Sequence, residues 1–254
     1  MAKVITVTLR KGGSGKTTTA VNLASGLAKH GKKVLLVDLD PQANATVSVG
    51  LEGIESDPNI TDVLQGQKQL AEATHDTGKG FDIVPSYERL SQLEATMATD
   101  HKTYGQTIKQ ILKPALKEYD YIVIDTPPSE NMLTIAALVA SDYALVPTQA
   151  HYLAMHGLQQ ALDMILRTKQ GYELDIEILG ILPTMVQTGT NIAELFMEKV
   201  NLDYGLMVLP YPIPHTIKIT ESQLAGEPII DYDPHHPASI AYMKLAKHVT
   251  ERGN

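Results

Sequence analysis

With 254 residues, the chain has room for one large domain or two small ones. Its formal net charge of −8, from 29 acidic and 21 basic side chains, argues against a surface that is basic all over. The lack of cysteine excludes disulfides and any iron–sulfur cluster held by thiolates. No apolar run approaches the roughly 20 residues of a membrane-spanning helix, and the first residues, MAKVITVTL, enter a strand pattern at once. We therefore expect a cytoplasmic protein without a signal peptide.

Short apolar segments alternate with helical patterns along the chain. Segments rich in Val, Ile and Leu predict buried strands over residues 3–9, 33–40, 81–86, 121–128, 143–148 and 178–184. Helical periodicity predicts one helix from near Thr17 to a left-handed C-cap at Gly31, and a short one near 60–66 in the turn-rich stretch 50–80. Further helices are predicted over 104–118, which Pro114 can kink or divide, and over 130–140, 155–170, 190–201 and 237–250. The alternation predicts a single α/β domain over residues 1–254, with a doubly wound, mostly parallel sheet and helices on both faces.

A glycine-rich segment, LRKGGSGKTTT, follows the first strand at residues 9–19. Its glycines let several backbone N–H groups face a single anion, and the helix that begins near Thr17 adds its positive end. Lys16 would reach the β- and γ-phosphates of a nucleotide, and the Thr17 hydroxyl would ligate Mg²⁺. The predicted nucleotide-binding residues are Lys11, Gly12, Gly13, Ser14, Gly15, Lys16, Thr17 and Thr18. A plain glycine-rich turn with surface lysines is disfavoured, because strand, glycines, Lys-Thr and amphipathic helix follow in order.

Two other predicted strands end in aspartates. The segment VDLDPQ carries Asp38 and Asp40, and YIVIDTPPS carries Asp125. Because the carboxyl ends of parallel strands line the ligand crevice, these carboxylates would face the nucleotide. Asp125 can hold Mg²⁺ directly or through water. For Asp38 and Asp40 the alternative is a loop carboxylate that caps the following segment.

The loop departs from the common pattern G-x-x-x-x-G-K-[ST], since Arg10 stands at the first glycine position and Lys11 is additional. In this form, K-G-G-x-G-K-T resembles the deviant phosphate loop of the ParA/MinD family of P-loop ATPases. The resemblance implies a Mg²⁺-dependent ATPase in which Lys11 crosses the interface of an ATP-sandwiched homodimer to the partner's nucleotide. Without it, Lys11 could equally be a solvated loop charge.

The same resemblance assigns roles to the aspartates. It implies that Asp40 positions or activates the attacking water, so that Lys11, Lys16 and Asp40 are the catalytic residues. It places Asp38 near the metal shell, which would comprise Thr17, Asp38 and Asp125. The segment after the last strand aspartate would sense the γ-phosphate as a switch made of Asp125, Thr126, Pro127 and Pro128.

Several further segments resemble ParA/Soj proteins in order and spacing. They are VPTQAHYLAMHGLQQAL, LGILPTM, IPHTIKITESQLAGEPI and DPHHPASIAYMKLAKHV. Proteins of that branch bind nonspecific DNA as ATP dimers and, with a ParB-like adaptor, position plasmids, chromosome origins or protein cargo. The resemblance therefore implies a nucleoid-associated protein. Since the chain starts at its first strand, we expect it to lack the N-terminal operator-binding domain of larger relatives.

Some positions depart from that branch. Arg10 replaces a common glutamine and Ala43 a common glycine. Where Soj-like proteins carry arginines used on DNA, this chain has His215 and Lys218, of which the histidine is mostly neutral at pH 7. Lys199 and Lys247 are further DNA-binding candidates only if folding brings them together. An isolated lysine is more often a solvated surface charge.

Two other functions remain open. A MinD-like membrane-surface ATPase would use the C-terminal segment SIAYMKLAKHVTERGN, which is amphipathic but short and mixed in charge, so no stable membrane anchor is expected. A metabolic ligase or kinase of the same superfamily would take a small co-substrate. Such an enzyme would have no need for Lys11.

Overall fold

A sheet of seven strands forms the centre of the protein in the computed structural model, which describes residues 1–53, 57–97, 105–151 and 154–252. The strands are β1 (Lys3–Val7), β2 (Val34–Asp38), β3 (His75–Asp76), β4 (Asp82–Val84), β5 (Tyr121–Asp125), β6 (Tyr143–Gln149) and β7 (Glu177–Thr184). Their order is β3-β4-β2-β5-β1-β6-β7, and every neighbouring pair is parallel except β3 and β4. The predicted mostly parallel sheet is confirmed.

All six predicted strands are present, several of them shorter than predicted. β2 and β5 end at Asp38 and Asp125, because the chain turns away there into segments that hold Pro41 and Pro127, which have no N–H to continue a ladder. The two-residue strand β3 was not predicted, since its residues His75 and Asp76 show no apolar pattern. It pairs antiparallel with β4 at the edge of the sheet.

Helices cover both faces of the sheet. They are α1 (Lys16–Lys29), α2 (Asn44–Ser48), α3 (Ile60–Leu64), α4 (Leu90–Met97), α5 (Thr107–Leu112), α6 (Met132–Val139), α7 (Ala154–Gly171), α8 (Asn191–Tyr204), α9 (Ile217–Leu224), α10 (Ile229–Tyr232) and α11 (Pro237–Arg252). In the described ranges no helix has both the length and the apolar character that crossing a membrane requires.

The long helices were predicted to within a few residues, and Gly31 adopts the predicted left-handed conformation with φ 75°. The predicted helix 104–118 is divided at Pro114 into α5 and a single 3-10 turn at Ala115–Lys117, while its residue 104 lies outside the described residues. The helices α2, α4, α9 and α10 were not predicted. Each spans eight residues or fewer, which is too short for a clear helical period.

Strand residues alternate between the two faces of the sheet. Ile5 and Leu36 join one buried cluster, and Val4 and Val37 join another on the opposite side. On the first side, α1 and α11 pack so closely that a Cβ at Gly26 would lie 2.8 Å from the Cβ of Ala246. Glycine at this position lets the two helices approach each other.

The register of the central strands determines where the site lies. Val7 of β1 is paired with Asp125 of β5, and Asp125 is paired with Asp38 of β2. The three strands therefore end at one level. The glycine-rich loop and both aspartate segments start from that same edge.

Candidate active site

The glycine-rich loop connects β1 to α1 at the carboxyl edge. Gly13 and Gly15 have φ of 68° and 85°, a left-handed conformation that side chains rarely adopt. α1 begins at Lys16 with no side-chain cap and no acidic residue in its first turn, so its N–H groups can bind an anion. The Thr184 hydroxyl, at the end of β7, donates a hydrogen bond of 2.8 Å to the carbonyl of Ser14 and holds the loop against the sheet.

The two lysines of the loop have different surroundings. Lys16 is buried, and its ammonium donates to the carbonyl of Lys11 at 3.2 Å. Burial lowers the pKa of Lys16, while Asp125 and Asp40 act in the opposite direction. Lys11 is half-buried, its side chain passes 4.0 Å from the place a Cβ would take at Gly157 of α7, and its ammonium forms no ion pair with any described residue. Lys16 therefore interacts with groups of its own loop and strand edge, whereas the ammonium of Lys11 is available to an anion from outside the described residues.

Asp38 organises the loop that carries Asp40. It is fully buried and accepts hydrogen bonds from the Asp40 N–H at 3.0 Å, the Thr46 N–H at 3.0 Å and the Thr46 hydroxyl at 2.8 Å. Burial raises the pKa of Asp38 to about 6. Both carboxylate oxygens of Asp38 already accept hydrogen bonds from the protein, so these contacts do not show a metal ligand. The predicted place of Asp38 near the metal therefore stays a prediction. The hydrogen bonds from Asp40 and Thr46 to Asp38 fit the alternative role as a carboxylate that caps the following segment.

Asp40 is also buried at this edge. Its Oδ1 accepts a hydrogen bond of 3.0 Å from the Gln42 N–H. Ala43, three residues after Asp40, has φ 54°. A side chain in this conformation costs roughly 1–2 kcal/mol, so the turn after Asp40 is strained. Strain of this kind is common beside functional groups.

Asp125 is the least satisfied polar group of the site. Both carboxylate oxygens are buried and make no hydrogen bond within ordinary distance and angle limits to the described residues. Burial and the neighbouring Asp38 raise its pKa well above the usual range, although Thr17 and Lys16 act in the opposite direction. Two unpartnered oxygens beside a threonine hydroxyl fit a hard cation such as Mg²⁺, which prefers oxygen ligands.

No group of three or more His, Cys, Asp or Glu side chains converges as a metal centre among the described residues.

The segment after Asp125 is tied to the rest of the site. The Thr126 hydroxyl donates to the carbonyl of Val7 at 2.9 Å. Glu130 lies between two guanidinium groups, 3.6 Å from Arg10 of the loop and 2.7 Å from Arg167 of α7. In the sequence, Arg10 stood out only as a departure from the usual loop pattern. The ion pairs that Glu130 forms with Arg10 and Arg167 were not predicted.

A cleft of about 490 Å³ opens at the glycine-rich loop, within the usual size range of ligand sites. The loop residues Gly12–Thr18, together with Asp40 and Pro128, form its floor. The unpredicted helices α2 and α9 form its sides, through residues that include Val47, Gln223 and Leu224. The Gln223 side-chain amide donates to the Thr18 hydroxyl at 3.1 Å and joins α9 to the loop.

The predicted DNA-binding residues lie on other parts of the surface. Each lysine is paired with a carboxylate of its own helix: Lys218 with Glu221 at 2.7 Å, Lys199 with Asp203 at 3.0 Å and Lys247 with Glu251 at 3.7 Å. His215 is exposed just before α9. The three lysines stand on α9, α8 and α11, so their assignment to one DNA surface stays a prediction.

Comparison with known proteins gives matches that cover most or all of the chain. The family model described as an AAA domain matches residues 2–178. The sporulation initiation inhibitor protein Soj of Bacillus subtilis is 37% identical over 254 residues, covering 100% of both chains. The chromosome partitioning protein ParA of Myxococcus xanthus is 35% identical over 254 residues, covering 99% of this chain and 89% of its own.

Among solved structures, cobyrinic acid a,c-diamide synthase from Mycobacterium smegmatis with a bound ATP analogue and magnesium is similar throughout. It is 30% identical with a TM-score of 0.87, and the alignment covers 99% of this chain and 96% of that one.

Proposed function

Because the chain belongs to the ParA/MinD family of ATPases, we propose that it hydrolyses Mg·ATP as an ATP-sandwiched homodimer and acts in DNA or cargo partition. In the ATP state it binds nonspecific DNA and a ParB-like adaptor, which makes it cytoplasmic and nucleoid-associated. The observation that carries the proposal is the cleft at the carboxyl edge. There the buried Lys16, Asp40 and the open N-terminus of α1 line one space, and the buried Asp125 ends the neighbouring strand β5.

The proposal gives each residue a role that its surroundings support. The loop N–H groups and Lys16 bind the phosphates and neutralise their charge. Thr17 and Asp125 would hold Mg²⁺, and Asp38 is paired with Asp125 on the neighbouring strand. A bound magnesium ion would supply further neutralisation of the β- and γ-phosphates. Asp40, whose Oδ1 is fixed by the Gln42 N–H, uses its second oxygen to orient the attacking water.

Lys11 answers a different need from Lys16. Lys16 is already directed back into its own loop, and Lys11 has an unpaired ammonium among the described residues. A second copy that brings its nucleotide to Lys11 would supply the missing anion. ATP binding would then favour the dimer, and loss of the γ-phosphate would release it.

Release also needs a mobile element near the γ-phosphate. The segment Thr126–Pro128 follows Asp125 directly, and Glu130 joins it to the loop and to α7 through Arg10 and Arg167. A contact between this segment and the γ-phosphate would change that bridge and carry the nucleotide state to α7.

Binding of DNA is the part of the proposal that the charges support least. Each candidate lysine shares its charge with a neighbouring carboxylate, so a monomer would hold phosphates weakly. A dimer presents two copies of each lysine at once, and two weak contacts that act together raise the overall affinity.

The test is binding to random-sequence duplex DNA with ATP, ADP or no nucleotide, over a series of salt concentrations. We expect binding only with Mg·ATP and a steep loss of affinity with salt, because lysines that contact phosphates release counterions. Lys218→Ala should weaken binding and lower the salt slope, while Glu221→Gln, which frees the same ammonium, should strengthen it. Failure to bind in every nucleotide state at low salt would contradict the DNA-binding proposal.

The MinD-like alternative depends on the C-terminal helix. In α11, most apolar side chains face the core against α1, including Tyr242, Leu245 and Val249. Among the described residues of this helix, Ile240 is the large apolar side chain that is exposed. This packing favours a structural role for α11. Vesicle binding that requires α11 would favour the membrane function instead.

The small-molecule alternative takes its support from the similar Mycobacterium structure. A ligase of that kind would need a co-substrate for turnover and would stay monomeric with ATP. Sedimentation of the chain with ATP and without other substrates separates the two functions, because only a partition ATPase should dimerise.

A further inference from the structure

Helix α8 carries two apolar stripes, of which only one is buried. Ala193, Phe196 and Val200 pack into the core. The second stripe consists of Ile192, Leu195, Leu202 and, in the turn after the helix, Leu206. The exposed fraction of these side chains rises from 57% at Ile192 to 79% at Leu202, and Leu206 is fully exposed. We call these four residues the α8 stripe.

The spacing of the stripe is that of a docking helix. Positions 192, 195, 199 and 202 are three, four and three residues apart, which keeps them on one side of the helix, and Leu206 follows in the turn after the helix ends at Tyr204. Lys199 occupies the middle position, and its ammonium is held by Asp203 at 3.0 Å. Isolated exposed leucines are ordinary, but a run at this spacing offers a continuous apolar seam.

Acidic residues border the stripe. Glu194 and Glu198 lie on its solvent side, both exposed, and Asp203 lies beside Leu202. Lys199 neutralises one of the three carboxylates, so the surface around the seam is negative. A negative border repels DNA and anionic lipid, which counts against Lys199 among the candidate DNA-binding lysines, and it would also repel the same border of a second copy. It fits a basic partner.

The stripe is separate from the cleft. α8 follows the carboxyl end of β7, and its 14 residues extend about 21 Å at 1.5 Å per residue. The segment after it returns along β7, with Val208 paired to Ile181 and Pro214 paired to Val186. Leu202 and Leu206 therefore lie well back from the carboxyl edge, where a nucleotide-sandwiched dimer would form.

We propose that the α8 stripe is a docking surface for a basic amphipathic helix of a partner protein. The partner's apolar side chains pack along Ile192, Leu195 and Leu202, and its Lys or Arg side chains face Glu194 and Glu198. Helix recognition of this kind uses anchors at i, i+3, i+4 and i+7. The surface stands apart from the proposed function, since it would bind such a helix whether or not the chain hydrolyses ATP.

The probe is a synthetic helical peptide of about three heptads, with leucine at its apolar positions and lysine at the flanking ones. A matched peptide has glutamate in place of every lysine. Binding of each labelled peptide to the full chain is measured by fluorescence anisotropy without nucleotide. We expect the lysine peptide to bind with a Kd below about 100 μM and the glutamate peptide to bind at least tenfold more weakly.

Variants locate the site. Leu202→Asp should reduce the affinity for the lysine peptide at least tenfold, whereas Ile240→Asp, an equivalent change on α11, should leave it unchanged. The double variant Glu194→Lys, Glu198→Lys should reverse the preference and bind the glutamate peptide better. A misfolded chain would not come to prefer the glutamate peptide. A reversed preference would therefore show that the double variant is folded and that the two glutamates contact the peptide.

Three results would overturn the proposal. The first is no binding of the lysine peptide at about 100 μM, or equal affinity for both peptides. The second is nucleotide-free self-association that Leu202→Asp abolishes, which would make the occupant a second copy. The third is binding to anionic vesicles that Leu202→Asp abolishes, which would make it a lipid surface.

Discussion

The carboxyl edge of the sheet and the outer side of α8 are opposite in what they leave unsatisfied. At the edge, polar groups are buried and lack partners: both oxygens of Asp125 and the Ser14 hydroxyl make no hydrogen bond to the described residues. On α8, the charged Lys199 is paired and the leucines are bare. Each region lacks what its ligand would bring, a cation and phosphates in one case and an apolar surface in the other.

The two deficits differ in their effect on the free protein. A buried polar group without a partner costs roughly 1–3 kcal/mol of folding free energy, because its hydration is lost and not replaced. An exposed leucine costs little, since it is exposed in the unfolded chain as well. Changes at the edge should therefore alter both stability and chemistry, whereas changes on α8 should alter binding alone.

The largest effect is expected at Asp40. Asp40→Ala removes the carboxylate that orients the attacking water and leaves the phosphate contacts of Lys16 in place. Turnover should fall by about 10²–10³-fold, while ATP binding stays within a few-fold of the wild type. Phosphate release and equilibrium binding of a fluorescent ATP analogue check the two parts.

The dimer supplies a control for this variant. With hydrolysis blocked, Asp40→Ala should remain dimeric with ATP for longer than the wild type. Loss of ATP binding together with turnover would instead assign Asp40 to the structure of the loop.

A smaller effect is expected at Lys11. Lys11→Ala should weaken ATP-driven dimerisation by about tenfold or more, since one charge-assisted contact to a phosphate is lost from each half of the dimer. Nucleotide binding by the monomer should change little, because Lys16 serves the chain's own phosphates. Sedimentation equilibrium with ATP measures the dimerisation.

Lys244→Ala is the matched control, since Lys244 is an exposed lysine on α11, away from the loop. It should dimerise as the wild type does. If Lys11→Ala also dimerises normally, the role assigned to the second lysine is wrong.

The sequence predicted the floor of the cleft better than its sides. The loop, α1 and the Asp38 and Asp40 segment follow one another within residues 9–40, and Asp125 ends an apolar strand of its own, so local patterns identify each of them. The sides come from α2 and α9, which are too short to show a period. Glu130 meets Arg10 and Arg167 only after the chain has folded, and no local spacing records such a contact.

Some ion pairs on the surface could have been predicted from the spacing of charged residues along the sequence. Lys218 and Glu221 are three residues apart on one helix, and Lys199 and Asp203 are four apart, which are the separations at which side chains meet. These ion pairs were visible in the sequence. The α8 stripe was visible only as two overlapping apolar patterns, and burial had to decide which of them faced outward.

The smallest effect on our scale concerns stability and tests the edge without any ligand. Asp125→Asn replaces a buried carboxylate beside Asp38 by a neutral amide of similar shape, so it should stabilise the nucleotide-free, metal-free protein at pH 7.5 by about 1 kcal/mol. Asp38→Asn, one strand away, should do the opposite, since an amide has one acceptor oxygen for the three donors that Asp38 satisfies. Thermal unfolding in a chelating buffer measures both variants.

The pH dependence gives the sign of the Asp125 effect. Burial raises its pKa, so the folded protein holds the proton more tightly than the unfolded chain does. Its contribution to stability is complete below the ordinary Asp pKa of about 4 and is lost as the pH rises. The advantage of Asp125→Asn should therefore shrink toward pH 4 and grow toward pH 8. Addition of Mg·ATP should reverse the order, because only the wild type can exchange the cost of its unpartnered carboxylate for a bound cation. An advantage that stays constant with pH would show that the carboxylate is satisfied in the free protein, and the contrast between the edge and α8 would fail.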